Sequence, residues 1–144
     1  MTTEEIQEYL RALSDELSKI GLKGEICLYS GAVMCLVYKA RPSTKDVDAI
    51  FQPVAQMREA AKRVAEIYGL RPDWRNDAVS GYVVEHPQRI LFDLPALKVF
   101  VPEPDYLLAM KTLVALFVLA RAGSVLRMNG LLHQSASTVF ILIS

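Results

Sequence analysis

In the stretch RPSTKDVDAIF, residues 41–51, two acids interrupt what is otherwise a buried strand: Asp46 and Asp48 stand one residue apart. Side chains on a strand alternate faces, so Asp46 and Asp48 share one face while Val47 and Ala49 take the other. Two like charges on one face raise each other's pKa and cost stability unless a cation joins them. Same-face carboxylates suit Mg²⁺ (or Mn²⁺), since Mg²⁺ is typically held by one or two carboxylates together with substrate phosphates. The bland alternative is a solvated strand end with two surface acids.

Upstream, residues 25–43 read EICLYSGAVMCLVYKARPS. An apolar strand over residues 26–29 breaks at Ser30-Gly31, and a helix is expected over 32–38. A small-residue turn at a helix N-terminus offers unpaired N–H groups and the positive dipole end, which suits a phosphate. Strand, turn, helix and a second strand beginning at Asp46 therefore predict a place for a nucleoside triphosphate (NTP), with metal bridging its oxygens to the protein. In two-metal phosphoryl and nucleotidyl transfer such ions activate the attacking oxygen and steady the leaving one.

The remaining chain alternates helices and strands. Ile6, Leu10, Leu13, Leu17 and Ile20 form one helical stripe, Thr2 and Glu5 have capping-box spacing, and Gly21 sits where a helix stops. Pro53 opens a further helix with the stripe Val54, Met57, Ala61, Val64, Ala65 and Tyr68, ended by Gly69. A loop surrounds Trp74, one or two short strands follow around Pro95, and an apolar helix carries Lys111, the sole charge between Asp105 and Arg121. Such a lysine either snorkels to solvent or meets an anion. This order predicts an α/β (α+β) class, a small mixed sheet flanked by helices in one domain over 1–122. Residues 123–144 are set apart as an atypical tail, because Gly123-Ser124 and Asn129-Gly130 interrupt apolar stretches of no clean period.

Composition excludes rather than selects. The chain has 144 residues, enough for one substantial core, and 16 basic against 16 acidic residues, so overall charge argues for neither a nucleic-acid nor a membrane partner. Lys62, Arg63, Arg71 and Arg75 are the basic residues to examine for a local patch. The apolar run after Lys111 is too short to span a membrane. Cys27 and Cys35 match no metal spacing and read as buried apolar residues, and with no signal peptide they predict a reduced, cytoplasmic compartment. His86 and His133 stand isolated in the sequence.

The run GEICLYSGAVMCLVYKARPSTKDVDAIF (24–51), PDWRNDAV (72–79) and LKVFVPEPDYLLAMK (97–111), in this order, resemble the polymerase-β-like nucleotidyltransferase superfamily, and within it the DUF6036 branch related to AbiEii toxins. The resemblance covers roughly residues 5–112. It implies that Ser30 and Gly31 contact the triphosphate, that Asp46 and Asp48 hold the metal, and that Lys111 lies in the active-site region; Thr44 and Lys45 beside them are further nucleotide-binding candidates, with a loop-fixing threonine and a surface lysine as the plain readings. The implied activity is Mg²⁺-dependent transfer of a nucleoside monophosphate from an NTP to a hydroxyl acceptor. The implied setting is a toxin acting on tRNA or another RNA, with a cognate antitoxin protein as partner.

The chain departs from that pattern at three places. Ser30 replaces the first glycine of the usual pair. The third carboxylate common in the superfamily is missing from LKVFVP, and neither Asp77, Glu85 nor Asp93 aligns with its position. After Lys111 the family pattern implies a polar helix with Arg and Asp, where this chain reads TLVALFVLARAGSVLRMNGLLHQSASTVFILIS; an altered reading frame would account for that tail. The last two departures favour an inactive, truncated binding module as the alternative. A small-molecule nucleotidyltransferase of the same superfamily is a further one.

Overall fold

The computed structural model describes residues 1–76 and 85–129. Along the chain run α1 (Thr3–Lys19), β1 (Gly24–Tyr29), α2 (Ser30–Leu36), β2 (Val47–Gln52), α3 (Val54–Tyr68), β3 (Arg75–Asn76), β4 (Gln88–Asp93), β5 (Leu97–Pro102) and α4 (Pro104–Asn129). The chain separates into two compact units, Met1–Glu103 and Pro104–Ser144.

The first unit is mixed α/β, as expected. Its sheet has the order β3-β2-β1-β5-β4, four strands of six residues and the two-residue β3 at one edge. β1 pairs antiparallel with β2 and parallel with β5; β4 returns antiparallel beside β5 and β3 runs parallel to β2. A parallel β1–β5 pair requires a long crossover, and everything between Ser30 and Ala96 supplies it.

Strand alternation gives the sheet two unlike faces. Ile26, Leu28, Val47, Ala49, Phe51, Leu97, Val99 and Val101 are buried on the first face. Ile26, Val47 and Phe51 meet Leu10 and Leu13 of α1 and Met57 and Ala61 of α3 there. The second face is ordered in rows across the register. Gln52, Glu25, Lys98 and Asp93 form one row, Ile50, Cys27, Phe100 and Ile90 the next, and Tyr29 stands opposite Asp48 at the far end.

The helices follow their apolar stripes and caps. At the start of α1 the Glu5 N–H donates to Thr2 Oγ1 (3.3 Å) and the Thr2 N–H to Glu5 Oε2 (2.7 Å), the reciprocal capping box. Ile6, Leu10, Leu13 and Leu17 are buried, but Ile20, placed on the same stripe by its period, is 51 % exposed because α1 has already ended at Lys19. On α3, Met57, Ala60, Ala61, Val64 and Ala65 face the core, while the terminal residues Val54 and Tyr68 are exposed. Gly21 and Gly69 both have φ of +65°, the left-handed conformation that ends a helix at least cost in glycine.

Two polar groups tie the layers together. Glu16 is only 5 % exposed, and its carboxylate accepts from Lys19 Nζ (2.6 Å) and from Arg63 Nε on α3 (3.0 Å). Trp74 is buried with its indole N–H donated to the Ala61 carbonyl (3.1 Å), which ties the loop around it to α3.

In the second unit α4 continues without interruption through Gly123-Ser124, a pair read from sequence as a break. One glycine inside a helix costs about 1 kcal/mol, too little to end a 26-residue helix of otherwise good formers. Among the described residues no helix is long and apolar enough to cross a membrane.

Candidate functional site

Ser30, Gly31, Thr44, Asp46 and Asp48 lie around the end of β1. Tyr29 is the last residue of β1 and its register partner on β2 is Asp48, so their side chains share the second face of the sheet, away from α1 and α3. Val47, between the two acids, is buried on the first face, so Asp48, the next residue of β2, turns to the other side. Both acids are half-buried. β2 begins at Val47, one residue later than the sequence suggests, so Asp46 lies in the turn before the ladder and only Asp48 is held by it. Asn76 of β3 is the register neighbour of Asp48 on its other side.

Ser30 opens α2 with φ of +51°. That left-handed conformation costs a residue other than glycine about 1–2 kcal/mol, so the serine takes up the unusual backbone that a glycine would adopt freely. α2 runs from Ser30 rather than Ala32 and is seven residues long, too short to add much dipole. Its N-terminus receives no hydrogen bond from a capping side chain.

Gly31 is where the turn meets the loop of the two acids. A Cβ at position 31 would collide with the Thr44 hydroxyl and lie 3.1 Å from Thr44 Cβ and 3.6 Å from a guanidinium nitrogen of Arg41. The Thr44 hydroxyl in turn donates to the Asp46 carbonyl (3.2 Å). Thr44 thus links the Ser30-Gly31 turn to Asp46 by contacts within the protein. Lys45 is exposed beside it. Lys111 lies on α4, in the second unit, whereas the other candidate residues lie in the first.

Two residues of this neighbourhood were not singled out by the sequence. The Tyr29 ring is 1 % exposed and its hydroxyl meets His86 Nε2 at 2.8 Å, with the rings edge to face at 5.8 Å. His86 Nδ1 is 3.0 Å from the Pro87 carbonyl. A carbonyl only accepts, so Nδ1 carries the proton, and in the neutral ring Nε2 accepts from Tyr29. His86, isolated in sequence, is therefore tied to the end of β1. Its spacing from Tyr29 follows no local period, and no sequence signal announces the pair.

The donor set can be tested against Mg²⁺. Asp46 and Asp48 supply the two carboxylates that Mg²⁺ asks of a protein when phosphate oxygens and water complete its shell. On β5 the residues of the same face are Lys98, Phe100 and Pro102, none of them an acid. Asp93 pairs with Lys98 at the opposite end of the sheet, about 13 Å along the strand from the Tyr29–Asp48 level at ~3.3 Å per residue. Among the described residues no group of three or more His, Cys, Asp or Glu side chains is placed to hold a metal ion. Two carboxylates are donor chemistry that Mg²⁺ accepts, and the described residues add no third. Asp77, a further acid considered from sequence, lies outside the described residues.

The basic residues do not make one patch. Arg63 is engaged by Glu16 and by Glu59 (3.6 Å), Arg71 by Asp73 (3.4 Å), and the Arg75 guanidinium lies 5.0 Å from the Phe51 ring centre. Lys62 lines a groove beside α3 with Arg58 and Arg75, but Glu59 and Glu66 line it too. Both cysteines are buried, and burial pushes the Cys27 thiol up to about 11.

Compared with known proteins, the chain matches no family model, no curated protein and no solved structure.

Proposed function

We propose that this chain is a Mg²⁺-dependent nucleotidyltransferase that moves a nucleoside monophosphate from an NTP to a hydroxyl acceptor. One observation carries the reading. Asp48 lies directly across from the residue that precedes the Ser30-Gly31 turn, and Thr44 joins that turn to Asp46. Carboxylates and turn at one end of two adjacent strands support the reading.

In this reading Asp46 and Asp48 hold Mg²⁺, which when bound offsets their repulsion and the charge of the phosphates. The Ser30 hydroxyl and the first N–H groups of α2 orient the phosphate oxygens. Gly31 keeps the turn against Thr44, so that phosphates and carboxylates keep a constant separation. Thr44 serves this arrangement through Gly31 and Asp46, and Lys45, exposed, is free to reach a phosphate. Transfer joins the acceptor oxygen to the α-phosphorus and releases pyrophosphate. A tRNA or other RNA acceptor and a cognate antitoxin rest on the resemblance alone; the mixed charges around α3 add no support for RNA.

A second reading has one observation of its own. The face of β5 beside Tyr29 carries no acid, which favours a module that binds Mg²⁺–NTP without transferring. Calorimetry with each NTP and Mg²⁺ tests both. We expect binding by the wild type and none by the Asp46→Ala/Asp48→Ala variant. A well-folded wild type that binds no NTP overturns both readings. Binding without transfer of label from α-³²P-NTP to RNA or a small-molecule hydroxyl favours the second.

A further inference from the structure

We propose that Met1–Thr3 belong to the candidate site as a clamp that sets the position of Asp46 through Thr44. The proposal rests on reading Asp46 and Asp48 as the metal pair, and it adds a positioning element to that pair.

Asp46 needs such an element. The β1–β2 register ends at Tyr29 opposite Asp48, and β2 starts at Val47, so the sheet ladder holds one of the two carboxylate residues and not the other. A metal held by two carboxylates requires both at constant separation, and the residues that fix ligands matter nearly as much as the ligands.

The first residues of the chain supply the missing hold. The Thr44 N–H donates to the Met1 carbonyl (2.8 Å) and the Met1 amino group donates to the Thr44 carbonyl (2.7 Å), making an antiparallel bridge between Thr2 and Ser43. Thr44 is thereby held through both of its backbone groups. Its hydroxyl is bonded to the Asp46 carbonyl and packs on Gly31. The other side of the clamp is anchored as well. Thr2 is the N-cap of α1, and the Thr3 hydroxyl donates to the Cys35 carbonyl on α2 (3.1 Å). Helix α1, helix α2 and the loop of Asp46 thus converge on three consecutive residues.

The test compares the wild type with a chain lacking only Met1, which removes both bonds to Thr44 yet keeps the Thr2 hydroxyl on the Glu5 N–H. Thr44→Val, which keeps the shape and deletes the hydroxyl, tests the relay, and Thr44→Ser restores it. The probe is Mn²⁺ alone, followed by electron paramagnetic resonance, with the thermal midpoint as control for folding. Loss of Met1 and Thr44→Val should each weaken Mn²⁺ binding about tenfold, the scale on which outer partners of metal ligands act, with Thr44→Ser close to wild type. Wild-type affinity in both altered chains overturns the clamp.

A wild type that binds no Mn²⁺ sinks the metal reading instead. The clamp is then decided by amide hydrogen exchange at Lys45, Asp46 and Val47. Faster exchange without Met1 upholds it, and unchanged exchange overturns it.

Discussion

Gly31 and Thr44 touch so closely that position 31 has no room for a side chain: a Cβ there would stand 3.1 Å from Thr44 Cβ and collide with the hydroxyl. Thr44 cannot easily retreat, because its backbone N–H and carbonyl are both bonded to Met1. Gly31→Ala is therefore an overpacking substitution whose strain falls on the loop of Asp46. We expect it to destabilise the protein by about 1–3 kcal/mol, read as a lower urea midpoint at unchanged slope. A midpoint equal to that of the wild type would show that the loop moves aside freely.

Tyr29 and His86 form the second contact that joins distant parts of the chain at the site. Tyr29→Phe keeps the buried ring and removes the hydroxyl that meets Nε2. The expected loss is about 1 kcal/mol, and in a double-mutant cycle with His86→Ala the two effects should be less than additive. Nitrogen NMR of the wild-type imidazole should show the neutral ring protonated at Nδ1, where it faces the Pro87 carbonyl. An Nε2–H tautomer would contradict the bonding described.

Glu16 gives the fold an acid-sensitive joint between α1 and α3. The hydrogen bond from Lys19 holds its carboxyl below the ordinary value of 4.5; burial pushes it up, and the bond from Arg63 adds to the lowering. A folded value below the unfolded one means that the stabilisation is fully present above the unfolded value. It is lost as pH falls through the folded value, in the acid range. Lys19 is two-thirds exposed, so solvent screens its share and Arg63 carries more of the stability. Glu16→Gln should cost about 1–3 kcal/mol at neutral pH and flatten the fall in stability below pH ~4.5. A variant whose stability falls just as steeply in acid would remove Glu16 from the account.

Elements with a strong local pattern are legible in the residues themselves. The capping box of α1, the helix ends at Gly21 and Gly69, and the buried stripes of α1 and α3 follow from propensity and period, which act over a few residues. Where those stripes reach the ends of the helices, at Ile20, Val54 and Tyr68, the period misleads, because burial depends on what lies opposite and not on spacing. Gly123-Ser124 misleads in the opposite sense, since a single glycine weakens a helix without breaking it.

By itself the sequence determined that a turn at Ser30-Gly31 follows the first strand and that Asp48 and Val47 take opposite faces of the next; the alternation does not reach Asp46, because β2 begins only at Val47. Strand alternation and small-residue turns are local rules, and this chain obeys them. The tertiary structure alone decided which partners those residues meet. It set Asp48 across from Tyr29, Gly31 against Thr44, His86 on Tyr29 and Met1 on Thr44, and it put Asp93 at the wrong end of the sheet to join the two acids. Each of these contacts closes a loop in the chain or sets a strand register, and long-range pairing of that kind is chosen by the packing of the whole sheet rather than by the residues beside it.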